Sequence, residues 1–168
     1  LRQDANVFNA KQQNFAAYVS NEFNCPEKLK SVLGFRFEKY QVFYTGKNSQ
    51  LGQVFNNQNI INKNNVFPSA NFIYSLNENR NIRLAYSLTT ARPSFKEASI
   101  AEIYDPLSNL FFIGNINIRP TYIDNFDLRY EAFGENAQLF ALSAFYKNLT
   151  DPIEIGFVLR VGGQPRLE

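Results

Sequence analysis

Asn81-Ile82-Arg83-Leu84-Ala85-Tyr86-Ser87-Leu88-Thr89-Thr90-Ala91-Arg92-Pro93-Ser94-Phe95 decides how the rest of the chain is read. Ile82, Leu84, Tyr86 and Leu88 fall on one side of an extended strand, and Arg83, Ala85, Ser87 and Thr89 on the other. That is a period of two, sustained until Pro93 ends it. A tight polar turn, Asn77-Glu78-Asn79-Arg80, precedes the run, and a long connection follows it.

Working back from this strand, Ala70, Phe72, Tyr74 and Leu76 alternate with Asn71, Ile73 and Ser75. Phe67-Pro68-Ser69 is expected to open that strand, since proline is tolerated at a first position. Thr45 to Asn65, rich in Asn, Gln, Gly and Lys, reads as a loop. Lys28 to Tyr44 is the longest strand candidate: Leu29, Leu33, Phe35 and Phe37 share a face opposite Arg36 and Glu38. Past Lys39 the alternation loosens and Tyr40, Phe43 and Tyr44 collect. Two readings of them stay open, a membrane-interface aromatic girdle or ordinary strand residues. Gln13 to Phe23 reads as a first strand, closed by a turn at Asn24-Cys25-Pro26-Glu27.

Working forward, Pro93 to about Thr121 is the longest loop, with a helical turn possible over Ser94 to Ala98 and an apolar cluster at Leu110 to Ile113. Asp124 to Phe133 and Ala137 to Lys147 form a hairpin about Gly134-Glu135-Asn136. One further short strand is expected near Ile155 to Val161. The fold class is therefore all-β: an antiparallel up-and-down meander of about six or seven strands.

Composition limits what such a meander can do. The chain has 17 Phe and 9 Tyr but no Trp, Met or His. Without histidine there is no Ser-His-Asp or Cys-His constellation, and the usual zinc sets are missing. No catalytic residue, metal site or cofactor is expected, and Asp127 with Glu131 beside Arg129 reads as a charge ladder. The net charge of +2 is interspersed rather than striped, which gives no footprint for nucleic acid. Cys25 is the single cysteine, so no internal disulfide can form.

No apolar run is long enough for a membrane helix, but a transmembrane strand needs only about 9–11 residues. Short connections near Pro26, Asn79 and Asn136 alternate with long ones at 45–65, 93–121 and after Asn148. The long ones lie on one rim, as in outer-membrane barrels. Charge at Arg36, Glu38, Arg83, Asp127, Arg129 and Glu131 lies opposite the Phe/Leu/Tyr face. A basic residue facing lipid at mid-membrane costs roughly 2–4 kcal/mol, so a barrel collects charge on its lumen side. A one-sided antiparallel sheet in water gives the same alternation. The alternative is thus a soluble β-sandwich module, for instance a glycan binder, burying Phe35, Phe72 and Leu84 between two sheets.

Phe67-Pro68-Ser69, Asn81 to Ser87, Ala91-Arg92-Pro93-Ser94-Phe95, Gly114-Asn115, Arg119-Pro120-Thr121, Asn125 to Glu131, Phe145-Tyr146-Lys147 and Pro152-Ile153-Glu154 occur in that order. Ala16-Ala17-Tyr18 and Leu33 to Glu38 extend the pattern toward the start. Together they resemble the barrel of TonB-dependent outer-membrane receptors, particularly those of Bacteroidetes-type bacteria. The resemblance implies a segment of a 22-stranded barrel in the bacterial outer membrane, around a plug domain. It also implies energy from the TonB complex and a scarce cargo: siderophore-bound iron, cobalamin, a glycan or a peptide. Within these residues no plug, energy-coupling box or terminal aromatic strand is recognisable, so 1–166 are expected to be partial barrel and unable to transport alone. Leu167-Glu168 reads as an expression-tag scar. Such a piece would expose its lipid face and is expected to self-associate.

The lumen or plug-facing candidates are Arg36, Glu38, Arg83, Asp127, Arg129 and Glu131, with cross-strand ion pairing as the structural alternative. The ligand candidates lie in the long loop, where recognition residues concentrate: Arg92, Phe95, Tyr104, Phe111, Phe112, Asn115 and Asn117.

Overall fold

The computed structural model describes residues 8–25, 28–48, 53–100, 102–107, 110–135, 138–158 and 166–167. The deciding stretch is strand β4 (Arg80–Ala91). It lies fourth in a six-stranded sheet with β1 (Phe8–Cys25), β2 (Leu29–Asn48), β3 (Gln53–Asn77), β7 (Thr121–Phe133) and β8 (Leu139–Thr150). Their order is β1-β2-β3-β4-β7-β8, and every neighbouring pair is antiparallel. A second sheet, ordered β5-β6-β10-β9, joins β5 (Glu102–Asp105) and β6 (Leu110–Ile113) of the long connection to β9 (Phe157–Val158) and β10 (Arg166–Leu167). The sequence reading anticipated the meander and a strand near β9, but not this second sheet.

Pairing register carries the alternation from strand to strand. Leu84 pairs with Phe72 on β3 and Leu128 on β7, and Tyr86 with Ala70 and Phe126. Leu33, Phe35, Phe37, Phe72, Tyr74, Leu84, Tyr86 and Leu88 all lie on one face by register. Many stand open: Phe35 is 57% and Leu84 50% exposed. The β-sandwich alternative needed these side chains sealed under a second sheet, and among the described residues nothing covers them. On the opposite face lie Arg36, Glu38, Arg83, Asp127, Arg129 and Glu131.

Two sequence expectations are corrected. Thr45 to Asn65 is not a loop: β2 runs on to Asn48 and β3 begins at Gln53, the two strands pairing as far as Asn48 and Gln53. Residues 49–52 lie outside the described set. β1, β2 and β3 are thus much longer than the ~9–11 residues that cross hydrocarbon. Pro68 does not open a strand but sits inside β3, opposite Phe35. Ser75 N–H donates to the carbonyl oxygen of Lys28, the residue before β2. Alternation therefore turns the backbone nitrogen of every even residue, Pro68 included, away from β2. Its missing donor would have faced β4, and the β3–β4 ladder ends one residue earlier, at Ser69 opposite Ser87. The structure also decides between the two open readings of Tyr40 and Tyr44. They form no outward girdle: both are 1% exposed on the polar face, while Phe43 is on the other.

Candidate functional site

The polar face carries two nodes of the same make. In each, one carboxylate receives two guanidinium groups. Glu131 on β7 is 5% exposed; Arg83 Nε lies 2.8 Å from its Oε2 and Arg129 Nε 2.9 Å from its Oε1. Arg83 and Arg129 are directly opposed in register, a like-charge pairing that would be unfavourable alone. Glu131, two residues on, neutralises one of the two charges. Asp127 shares this face but forms no ion pair with Arg129, so the expected ladder shortens to the Arg83–Glu131–Arg129 triad.

Glu38 on β2, 6% exposed, is the second node. Arg36 Nε donates to its Oε1 at 2.5 Å, and Arg92 Nη2 donates to its Oε2. Arg92 stands where the long connection leaves β4, and its guanidinium carbon also lies 4.3 Å from the centroid of the Tyr40 ring. This node therefore fastens the connection to the wall, crossing over β3 to do so.

Local chemistry shapes the connection's foot. Ser94-Phe95-Lys96-Glu97 is a capping box: Ser94 N–H donates to Glu97 Oε2 at 2.7 Å and Glu97 N–H to Ser94 Oγ at 3.3 Å. The helical turn closes with Ala98 N–H on Ser94 O at 3.0 Å. Ser99, fully buried, meets the Tyr44 hydroxyl at 3.1 Å. Phe8 and Phe55 flank the Tyr44 ring at 5.8 and 5.9 Å between centroids. The returning arm packs on the turn through Gly114. A Cβ there would come 2.4 Å from the Lys96 and Glu97 carbonyl oxygens and 2.5 Å from that of Ser99. Asn115 N–H then donates to Glu97 O at 2.7 Å.

The structure thus separates the loop candidates. Arg92 is engaged by Glu38, and Phe112, 8% exposed, lies under the Lys96 ammonium at 4.4 Å from its ring centroid. Phe95 and Tyr104 are 40% and 49% exposed. Asn115 and Asn117 are exposed, and Asn115 Oδ1 accepts from Asn117 N–H. The Phe111 backbone lies in β6, and its side chain is outside the described residues. Sequence reading missed Tyr40, Tyr44 and Ser99. The available signal was parity: Tyr40 and Tyr44 are spaced evenly with Glu38 and so share its face.

A model of the outer membrane protein beta-barrel family matches residues 1–161. The chain belongs to this family. Its place is the bacterial outer membrane, where the exposed apolar face of a barrel wall meets lipid. Among solved structures it is similar to the siderophore receptor PirA from Pseudomonas aeruginosa, with a TM-score of 0.55 at 14% identity. At that identity the likeness concerns the fold alone. The alignment covers 94% of this chain and 36% of that one, so the chain spans about a third of that receptor's length. No curated protein matches the chain.

Proposed function

We propose that this barrel segment is part of the wall of a TonB-dependent receptor of the Bacteroidetes type, a transporter rather than an enzyme. It would import a siderophore complex, cobalamin, a glycan or a peptide, with its own plug domain inside the barrel and energy from the TonB complex. Family membership and the fold likeness support the reading. The observation that carries it is the start of the long connection fastened to the polar face, Arg92 at Glu38 and Ser99 at Tyr44. An importer needs ordered recognition surface over its lumen, and a merely structural barrel does not.

In this reading Arg92 and Phe112 hold the connection in shape, while Phe95, Tyr104, Asn115 and Asn117 meet the cargo. Arg36, Glu38, Arg83, Arg129 and Glu131 brace the wall, and Asp127 faces the plug or the path. The 168 residues alone would self-associate through the lipid face outside detergent; a monodisperse monomer there would count against this part. Deleting the parent gene is expected to abolish growth on one class of scarce iron source, cobalamin, glycan or peptide. Unimpaired growth on all of them would overturn the transport reading.

A further inference from the structure

On the lipid face, the last apolar residue before polar side chains take over can be followed across the sheet. It is Phe126 on β7, Leu88 on β4, Val66 on β3, Phe37 on β2 and Phe15 on β1. Measured against the pairing row Phe126–Tyr86–Ala70–Leu33–Asn21, these lie zero, two, four, four and six residues nearer the long-connection rim. Barrel strands tilt by about 35–45° and lie ~4.8 Å apart, so a level plane climbs roughly one to one and a half residues per strand. The line is therefore level in the membrane and marks where hydrocarbon ends. The long connections lie on its far side, which makes it the boundary of the outer leaflet.

Just beyond this line, on the outward face of β1, β2 and β3, stand Lys39 and Asn64, then Gln13, Gln41, Asn62 and Lys11. Two ammonium groups and four amides share the patch, and none of its six residues is a carboxylate. Lys11 and Lys39 are exposed and have no ion-pair partner among the described residues. Gln13, Asn14, Phe15, Lys39 and Gln41 line a recess there. The patch is confined to this side of the sheet: on β7 the residue beyond the line is Asp124, held by the Tyr86 hydroxyl at 2.9 Å. Along a tilted strand Lys39 rises about 5 Å and Lys11 about 10 Å above the line. Lys39 is thus within the headgroup layer, roughly 5–8 Å thick on each side, and Lys11 stands just above it, where its flexible side chain can reach down into the layer.

We propose that Lys11 and Lys39, with the amides between them, bind the phosphorylated headgroup of an outer-leaflet glycolipid. The ammoniums neutralise its phosphates and the amides meet its sugar hydroxyls. The site is continuous with the lipid belt, which is why the occupant is a bilayer lipid rather than a dissolved anion. It is independent of the cargo and of energy coupling.

The test uses the intact outer-membrane protein, extracted in mild detergent from native membranes, with retained glycolipid measured by mass spectrometry. One charge near an anionic surface is worth about fivefold in affinity, so K11Q/K39Q is expected to lose on the order of twenty-fold of the retained lipid. K63Q, on the lumen face, is the control and should retain it fully. Enzymatic removal of the lipid's phosphates should abolish the difference between wild type and the double variant. Equal retention by wild type and K11Q/K39Q would overturn the proposal. So would displacement of the lipid by millimolar inorganic phosphate, which would mark a general anion site.

Discussion

The Glu38 and Glu131 nodes contain the same groups, one nearly buried carboxylate and two arginines, yet they do different work. At Glu131 all three members belong to β4 and β7, which are already zipped along twelve residue pairs. Losing that node would weaken the wall without freeing anything. At Glu38 one arginine belongs to the wall and the other to the 92–120 connection. Identical electrostatics therefore become a brace in one place and a fastening in the other, according to what the backbone does between the partners.

The most damaging change should come at the connection's own foot. Gly114→Ala sets a methyl group against three carbonyl oxygens of the backbone, where no flexible side chain can yield. Overpacking of this kind costs about 1–3 kcal/mol or more, and here it should open the connection. Limited proteolysis of the intact protein should then cut within 92–120, with the barrel's heat-unfolding transition nearly unmoved. An uncut connection would show that the packing there is not what orders it.

The next effect sharpens the contrast directly. Glu38→Gln and Glu131→Gln each remove one charge between two half-exposed or better-covered arginines, at a cost of about 1–3 kcal/mol. Only Glu38→Gln should raise proteolysis in 92–120, whereas Glu131→Gln should lower thermal stability alone. If both variants loosen the connection equally, the two nodes are not mechanically distinct. Arg92→Lys should give a smaller version of the Glu38→Gln result, since lysine keeps the charge but loses the planar fork and the stacked contact with Tyr40. Smallest is Tyr44→Phe, which removes one hydroxyl contact with Ser99, worth about 1 kcal/mol. Hydrogen exchange at residues 98–100 would register it.

How far the sequence could be read depended on whether two different solvents bathed the two sides of a strand. Where lipid meets one face and water the other, as from Ile82 to Leu88, the period of two is visible and every facing assignment followed from it. Above the membrane both sides of β2 and β3 are wet or locally packed, so nothing enforces alternation. Asn56 to Asn65 can then be mostly amides and still form a strand, held by its ladder to β2. Composition alone made that segment look like a loop. The aromatics at 40 and 44 stay open between two readings in the sequence for a related reason: parity gives their face, that of Glu38, but only the fold brings Ser99 and Arg92 over them. The Arg92–Glu38 contact spans 54 residues of chain. It could not be seen before the register was known, and so Arg92 was placed with the ligand group.

All of this rests on which face touches hydrocarbon, and spin labels can report that directly. With Cys25 changed to serine, single cysteines would replace Leu84 and Leu128 on one face and Ala85 and Ser143 on the other, in the intact protein reconstituted into vesicles. The labels at 84 and 128 should be relaxed by oxygen, which partitions into lipid, and those at 85 and 143 by a water-soluble nickel chelate. The reverse preference, or equal access of both reagents at all four positions, would contradict the account.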